Sequence, residues 1–255
     1  MNNPEYLISA ASGNLTAIQV IDEPQTTEWY AEKGTELGVK YEKLGVEQSG
    51  FLVKSMDHFQ MAGGEFCGNA TRAVAILFSQ LINRPDIQYT VSGFNGTVSS
   101  HVELNDQGTE YTVESIFPNM SIITEVVMAN EKEAIIVDLG GIVHVVIQGI
   151  MPNNYENVHR QIVTELDLTR RDAVGVVWYT REESHATIHP VVWVKGIDSF
   201  FYETSCGSGS IAVAKVTGLE EIYQVTKESI QVIITDKSVS LKSKMEVLLN
   251  QPYNS

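Results

Sequence analysis

Short apolar stretches, many alternating with polar positions, recur along the chain, and most are too short for helices. Residues 15–21, 51–54, 89–91 and 97–104 predict strands in the first half. The last two flank Gly93-Phe94-Asn95-Gly96, and the Asn-Gly pair predicts a hairpin. Residues 134–138, 142–147, 174–179, 188–194, 230–234 and 239–241 predict strands in the second half. Helical patterns are fewer. Residues 27–37, capped by Thr26 or Thr27, predict one helix, and residues 154–166 a second. Two more helices each open at a cysteine, Cys67 before residues 70–78 and Cys206 before residues 210–216. Both are apolar on nearly every face, which places a helix at the centre of a domain. The pattern therefore predicts an α+β protein of two domains, each a curved β-sheet or barrel wrapped around a central helix. The boundary falls near Pro118-Asn119, giving one domain of residues 1–119 plus about 244–255, and a second of residues 120–243.

The two cysteine-led openings align with each other. Residues 67–75 read Cys-Gly-Asn-Ala-Thr-Arg-Ala-Val-Ala, and residues 206–214 read Cys-Gly-Ser-Gly-Ser-Ile-Ala-Val-Ala. Five of the nine positions are identical, and the motifs lie 139 residues apart, about half the chain. Self-similarity at half-length suggests two like domains related by a pseudo-twofold axis, with both cysteines brought to one cleft between them.

That placement carries specific chemistry. A helix N-terminus presents unpaired backbone amides and the positive end of the helix dipole. A cysteine there is expected to have its thiol pKa lowered from about 8.5 toward neutrality. Gly68 and Gly207 let a ligand approach the backbone, while Asn69 and Ser208 leave amides free and can add hydrogen bonds. Each opening is thus both a thiolate site and a carboxylate nest. Two such sites facing one α-amino acid would form a two-base machine: one thiolate removes the α-proton and the opposite thiol returns a proton to the other face. No cofactor and no metal are needed, because two helix N-termini would stabilise the carbanion through the substrate carboxylate.

Composition bounds this picture. The chain has 255 residues, a net charge of −15, two cysteines and six histidines. The acidic balance argues against nucleic acid and against an anionic membrane surface as partners. No apolar run reaches the roughly 18 residues of a membrane span, and no signal peptide is visible, so the expectation is a cytoplasmic protein. Two cysteines make no disulfide scaffold. His58, His101, His159, His185 and His189 show no metal-ligand spacing. The site itself is expected to be locally positive, because two helix N-termini meet there.

At these residues the chain resembles the cofactor-independent amino-acid racemases and epimerases of the diaminopimelate epimerase fold. Ser12-Gly13-Asn14 looks like the family's N-terminal Gly-Asn motif, and Glu47-Gln48-Ser49-Gly50-Phe51 like its next turn. Gly64-Glu65-Phe66-Cys67-Gly68-Asn69-Ala70-Thr71 and Glu203-Thr204-Ser205-Cys206-Gly207-Ser208-Gly209 look like the two cysteine motifs. Gly140-Gly141-Ile142-Val143-His144 is similar to a Gly-Asn-Pro-His segment but lacks its Asn and Pro. The resemblance implies catalytic Cys67 and Cys206, and substrate contacts from Asn14, Glu47, Gln48, Gly68, Asn69, His144, Glu203, Gly207 and Ser208. It also implies an amino-acid substrate and a homodimer. Diaminopimelate epimerase carries a Glu-Arg pair shortly before its second cysteine, and residues 197–202 here contain no Arg. The paired motifs look closest to the family's histidine racemase branch, with Glu203 a group that would either bind a cationic or imidazole side chain or fix its loop. A diaminopimelate epimerase or broader amino-acid racemase, a cysteine hydrolase pairing one cysteine with His144, and a non-catalytic amino-acid-binding module remain as alternatives.

Overall fold

The computed structural model describes residues 3–251; residues 252–255, expected to join the first domain, lie outside the described residues. The first half runs β1 (Glu5–Ala10), β2 (Gly13–Ile21), α1 (Thr27–Tyr41), β3 (Val46–Val53), β4 (His58–Met61), α2 (Gly68–Ile82), β5 (Asp86–Val91), β6 (Thr97–Leu104) and β7 (Tyr111–Pro118). The second runs β8 (Ile123–Ala129), β9 (Lys132–Asp138), β10 (Val143–Gln148), α3 (Tyr155–Glu165), β11 (Ala173–Arg181), β12 (His185–Val194) and β13 (Ser199–Tyr202). It continues through α4 (Gly207–Thr217), β14 (Glu221–Tyr223), β15 (Ser229–Ile234) and β16 (Ser238–Gln251).

Strands β1 to β7 pair in order, and β16 closes the ring by pairing β7 on one side and β1 on the other. This is a closed eight-stranded barrel. Closure leaves no sheet edge there. Helix α2 fills it, and every residue from Gly68 to Phe78 is buried, as its all-round apolar sequence requires. A charge placed at Ala73 would lie unpaired in this interior and cost several kcal/mol. In the second half the strand order β16-β15-β14-β12-β11-β10-β9-β8 curves around α4, with β13 added beside β12. Strand β16 serves both halves: residues 239–242 pair β15, residues 238–245 pair β7, and residues 245–251 pair β1. The largest apolar cluster contains both central helices, so the two halves share one core where those helices meet.

Several elements differ from their sequence readings. The segment predicted as residues 239–241 is a 14-residue strand that pairs β15, β7 and β1 along its length, and the polar run Lys242-Ser243-Lys244 interrupts the apolar pattern that would have marked it. Helix α1 runs to Tyr41, four residues beyond its expected end, and Thr26 is its cap, accepting from the Trp29 amide at 3.2 Å. The hairpin at Asn95-Gly96 forms, but with a longer loop: Thr90 pairs Thr97, and Gly93 takes the left-handed turn with φ +69°.

The duplication extends beyond the cysteine motifs. Val53-Lys54-Ser55-Met56-Asp57-His58-Phe59 aligns with Val194-Lys195-Gly196-Ile197-Asp198-Ser199-Phe200. In both, a 3-10 turn follows a strand and ends on an aspartate in the left-handed region, Asp57 at φ 45° and Asp198 at φ 46°. A short strand then leads toward the cysteine. Asp tolerates that conformation better than most residues.

Candidate active site

The two cysteines are N-caps of α2 and α4 with closely matched backbones, φ −131°, ψ 110° at Cys67 and φ −141°, ψ 110° at Cys206. Each Sγ accepts an amide three residues on, Ala70 to Cys67 at 3.3 Å and Gly209 to Cys206 at 3.2 Å. Each cysteine carbonyl accepts a hydroxyl one turn on, from Thr71 and from Ser210, both at 2.7 Å. The small residues of the repeat are thus spent on the same job twice. The openings also abut. A Cβ on Gly207 would lie 3.0 Å from the Gly68 carbonyl carbon, and one on Gly68 would lie 2.6 Å from Leu241. Glycine at both positions lets the two helix N-termini touch.

Both cysteines line one cavity with Glu47, Gln48, Glu65, Glu203, Gly207 and Ser208, walled by Ile142, Val192, Val194, Ile197 and Phe201. It holds about 30 Å³, space for about two waters. A larger space of about 250 Å³ adjoins it, sharing Glu47, Gln48, Ser49, Ile197, Ser199 and Phe201 and extending to Gly34 and Gly38 of α1. A chain of contacts joins the thiols across the cavity. Cys67 Sγ donates to Gln48 Oε1 at 2.9 Å, and Gln48 Nε2 donates to Glu203 Oε1 at 3.0 Å. The Glu203 carboxyl in turn interacts with the Cys206 thiol.

The electrostatics correct two expectations. The thiols are not acidified: burial, then the Glu203 charge, pushes Cys67 up to about 12 and Cys206 well above its ordinary value. The amides of each helix opening act in the expected direction but are outweighed by desolvation. Nor is the site positive. Three carboxyls face the cavity, and burial raises all of them, Glu65 to about 7 and Glu203 to about 8, with Glu47 also raised. The nearest buried cation is Arg72 of α2, held below its ordinary value at about 10 by burial; its Nη2 donates to Asn69 Oδ1.

The residues singled out by resemblance fall into two groups. Glu47, Gln48, Glu203, Gly207 and Ser208 line the cavity with the cysteines. Asn14, Asn69 and His144 stand behind it. The Asn14 amide donates to Thr204 Oγ1 at 2.7 Å, and Glu47 accepts from Thr204 at 2.6 Å and from Asn14 at 3.3 Å. These bonds tie the first half to the loop before Cys206. Asn69 donates to the Ser205 carbonyl at 2.9 Å, a second such tie. Gly68, pressed against Gly207, makes a third. His144 is fully buried on β10, held neutral with a pKa of about 3, and its Nε2 lies 2.9 Å from Ser208 Oγ. It orients Ser208, and its ring occupies the space that Gly175 leaves. Sequence reasoning did not single out Glu65, Thr204 or Gln224. Gln224 accepts from the Cys206 amide at 2.9 Å and donates to Ser210 Oγ at 3.0 Å. Glu65 and Thr204 sit inside the quoted motifs, but Gln224 lies in an irregular turn with no local signal.

Solved structures share this fold. A Pseudomonas aeruginosa protein described as a predicted epimerase matches all of both chains with a TM-score of 0.60 and 13% identity. A PhzF-family phenazine biosynthesis protein from Enterococcus faecalis matches 98% of both chains with a TM-score of 0.55 and 15% identity. These likenesses show the fold, and the family and relatives that follow make the protein an isomerase of the racemase and epimerase class. The family described as "Histidine racemase CntK N-terminal domain" matches residues 9–245, and the chain belongs to that histidine racemase family. Histidine racemases from two strains of Fusobacterium nucleatum are 27% and 28% identical over 208 residues, 79% of this chain and 76% of theirs. One from Staphylococcus aureus is 25% identical over 178 residues, 66% of this chain and 63% of its own. Among the described residues no helix is long and apolar enough to cross a membrane.

Proposed function

We propose that the protein is a pyridoxal-phosphate-independent amino-acid racemase that interconverts L- and D-histidine with Cys67 and Cys206 as its two bases. The observation that carries this reading is the matched pair of cysteine N-caps lining one cavity, with their helix openings in contact. The substrate carboxylate would rest at the amides opening α2 and α4, with Cα between the sulfurs. One thiolate takes the α-proton, and the C–H electron pair delocalises into the carboxylate. The opposite thiol then gives its proton to the other face of Cα. The charges explain how a high-pKa thiol becomes a base. The substrate ammonium enters a cavity lined by three carboxyls, and the added positive charge lowers the Cys67 thiol pKa that Glu203 and Glu65 raise. Among the described residues lining the cavity there is no lysine to hold pyridoxal phosphate as a Schiff base.

The other readings have less support. A diaminopimelate substrate needs a cation for its distal carboxylate, and among the described residues no Arg or Lys lines the cavity. A hydrolase needs a histidine beside its cysteine, whereas His144 bonds Ser208. The same proposal includes the division at residues 119 and 244 with the active site between the two domains, a homodimer, and a cytoplasmic location. Incubation with L-histidine in D₂O without pyridoxal phosphate tests it. We expect loss of the α-proton signal together with D-histidine on chiral chromatography; no exchange with histidine would refute the substrate, and none with any amino acid the reaction.

A further inference from the structure

Three carboxyls line the cavity, and two are already engaged. Glu47 accepts from Thr204 and Asn14, and Glu203 accepts from Gln48 and faces the Cys206 thiol. Glu65 differs. It is fully desolvated and its Oε2 has no hydrogen-bond partner. The backbone amides of Glu65 and Gly63 face the carboxyl and fix its direction. Gly63 is shaped for it, since a Cβ there would lie 2.7 Å from Oε2 and 2.4 Å from Val194. Glu65 lines the cavity, and an unpaired polar atom on such a side chain costs free energy that a ligand atom reaching it from the cavity would recover.

The surroundings state what kind of atom. Val194 beside Oε2, with Val192, Ile142 and Ile197, makes an apolar wall, and the carboxyl is its polar point. A flat ring with polarisable faces and one N–H at its edge fits that combination. We propose that Glu65 is the residue that recognises the substrate side chain, its Oε2 accepting a hydrogen bond from a ring N–H of the imidazole. The assignment rests on the histidine reading above and adds the side-chain subsite to it. It also divides the labour: Glu203 and Gln48 serve the thiols, and Glu65 serves specificity.

The test compares wild type, Glu65→Gln and Glu65→Ala on histidine and on its two ring-N-methylated forms, reading kcat and KM separately with the melting temperature of the free protein. A hydrogen bond to a charged group corresponds to about 10–100-fold in binding. Glu65→Ala should therefore raise KM for histidine by roughly that factor with a smaller change in kcat. Wild type should reject one methylated form, and Glu65→Ala should lose that discrimination. Free Glu65→Gln should melt no lower than wild type, since it removes a buried carboxyl whose Oε2 lacks a partner; a purely structural Glu65 would instead give a lower melting temperature and unchanged KM. Should the variants not fold, equal turnover of histidine and both methylated forms by wild type overturns the assignment by itself. Wild type inert to histidine but active on another amino acid overturns the substrate reading and Glu65 with it. Active wild type with an unchanged KM in Glu65→Ala overturns Glu65 alone.

Discussion

The openings of α2 and α4 share a backbone, a capping pattern and five identical residues, yet their surroundings differ. At the third position Asn69 reaches across to the Ser205 carbonyl, whereas Ser208 turns to His144 and to Cys206 Sγ, 3.6 Å away. At the sixth position α2 buries Arg72 and α4 buries Ile211. Cys67 bonds Gln48, whereas Cys206 faces Glu203 directly. The two openings therefore place their sulfurs alike but give each its own electrostatic partner, Gln48 at Cys67 and Glu203 at Cys206. A racemase treats both faces of Cα but meets two different hands of substrate, so like geometry with unlike surroundings is what its task requires.

The largest effect should come from breaking the equivalence at the sulfurs. Cys67→Ser and Cys206→Ser should each lower racemisation by about 10²–10⁴-fold, the range for a positioned acid or base. Chiral chromatography reads this, and full activity in either variant would remove the two-base account. Next come the glycines. Gly207→Ala inserts a methyl 3.0 Å from Gly68 and from Asn69 Oδ1, prying the helix openings apart. We expect a loss of about 1–3 kcal/mol by denaturant titration, as for overpacking of a close contact, together with a fall in kcat.

His144→Ala sharpens the comparison further, because α2 has no counterpart to the His144–Ser208 pair. It should cost about 1–3 kcal/mol by leaving Ser208 without its partner. Its kcat should fall less than in the cysteine variants, and an equal fall would place His144 in the chemistry. The remaining effect is on stability against pH. Glu65 and Glu203 titrate near 7 and 8 in the fold against 4.5 ordinarily. The native protein therefore holds protons that the unfolded chain has released, and stability should fall as pH rises from about 4.5 through about 8. His144 acts oppositely: it stays neutral to about 3, whereas the unfolded chain binds that proton below 6.5, so stability falls as pH drops below that value. Calorimetric melting across pH should show a flatter alkaline arm in Glu203→Gln. An unchanged arm would contradict the assignment.

How much was legible follows the range of the interactions. The cysteine caps could be read because capping is local, a matter of three or four successive residues. The Val-Lys-x-x-Asp repeat at Val53 and Val194 was equally local in sequence, but only its matching left-handed aspartates show it as structure. The thiol pKa could not be read. It depends on burial and on Glu203, 136 residues from Cys67 in sequence, and these oppose the helix amides. Likewise Gln224, Thr204 and the closure of the barrel by β16 are long-range facts with no periodic signature. Glu65 stood in plain view within its motif, but its free oxygen appears only once its neighbours' partners are known.

The two-base claim is tested most directly by deuterium at Cα during the first few per cent of the wild-type reaction in D₂O, starting from L-histidine. One monoprotic thiol removes hydrogen from one face, and the other delivers solvent deuterium to the opposite face. The account predicts D-histidine fully deuterated at Cα while the remaining L-histidine is still protiated. D-histidine that keeps the original α-proton, or L-histidine labelled before product forms, would contradict it.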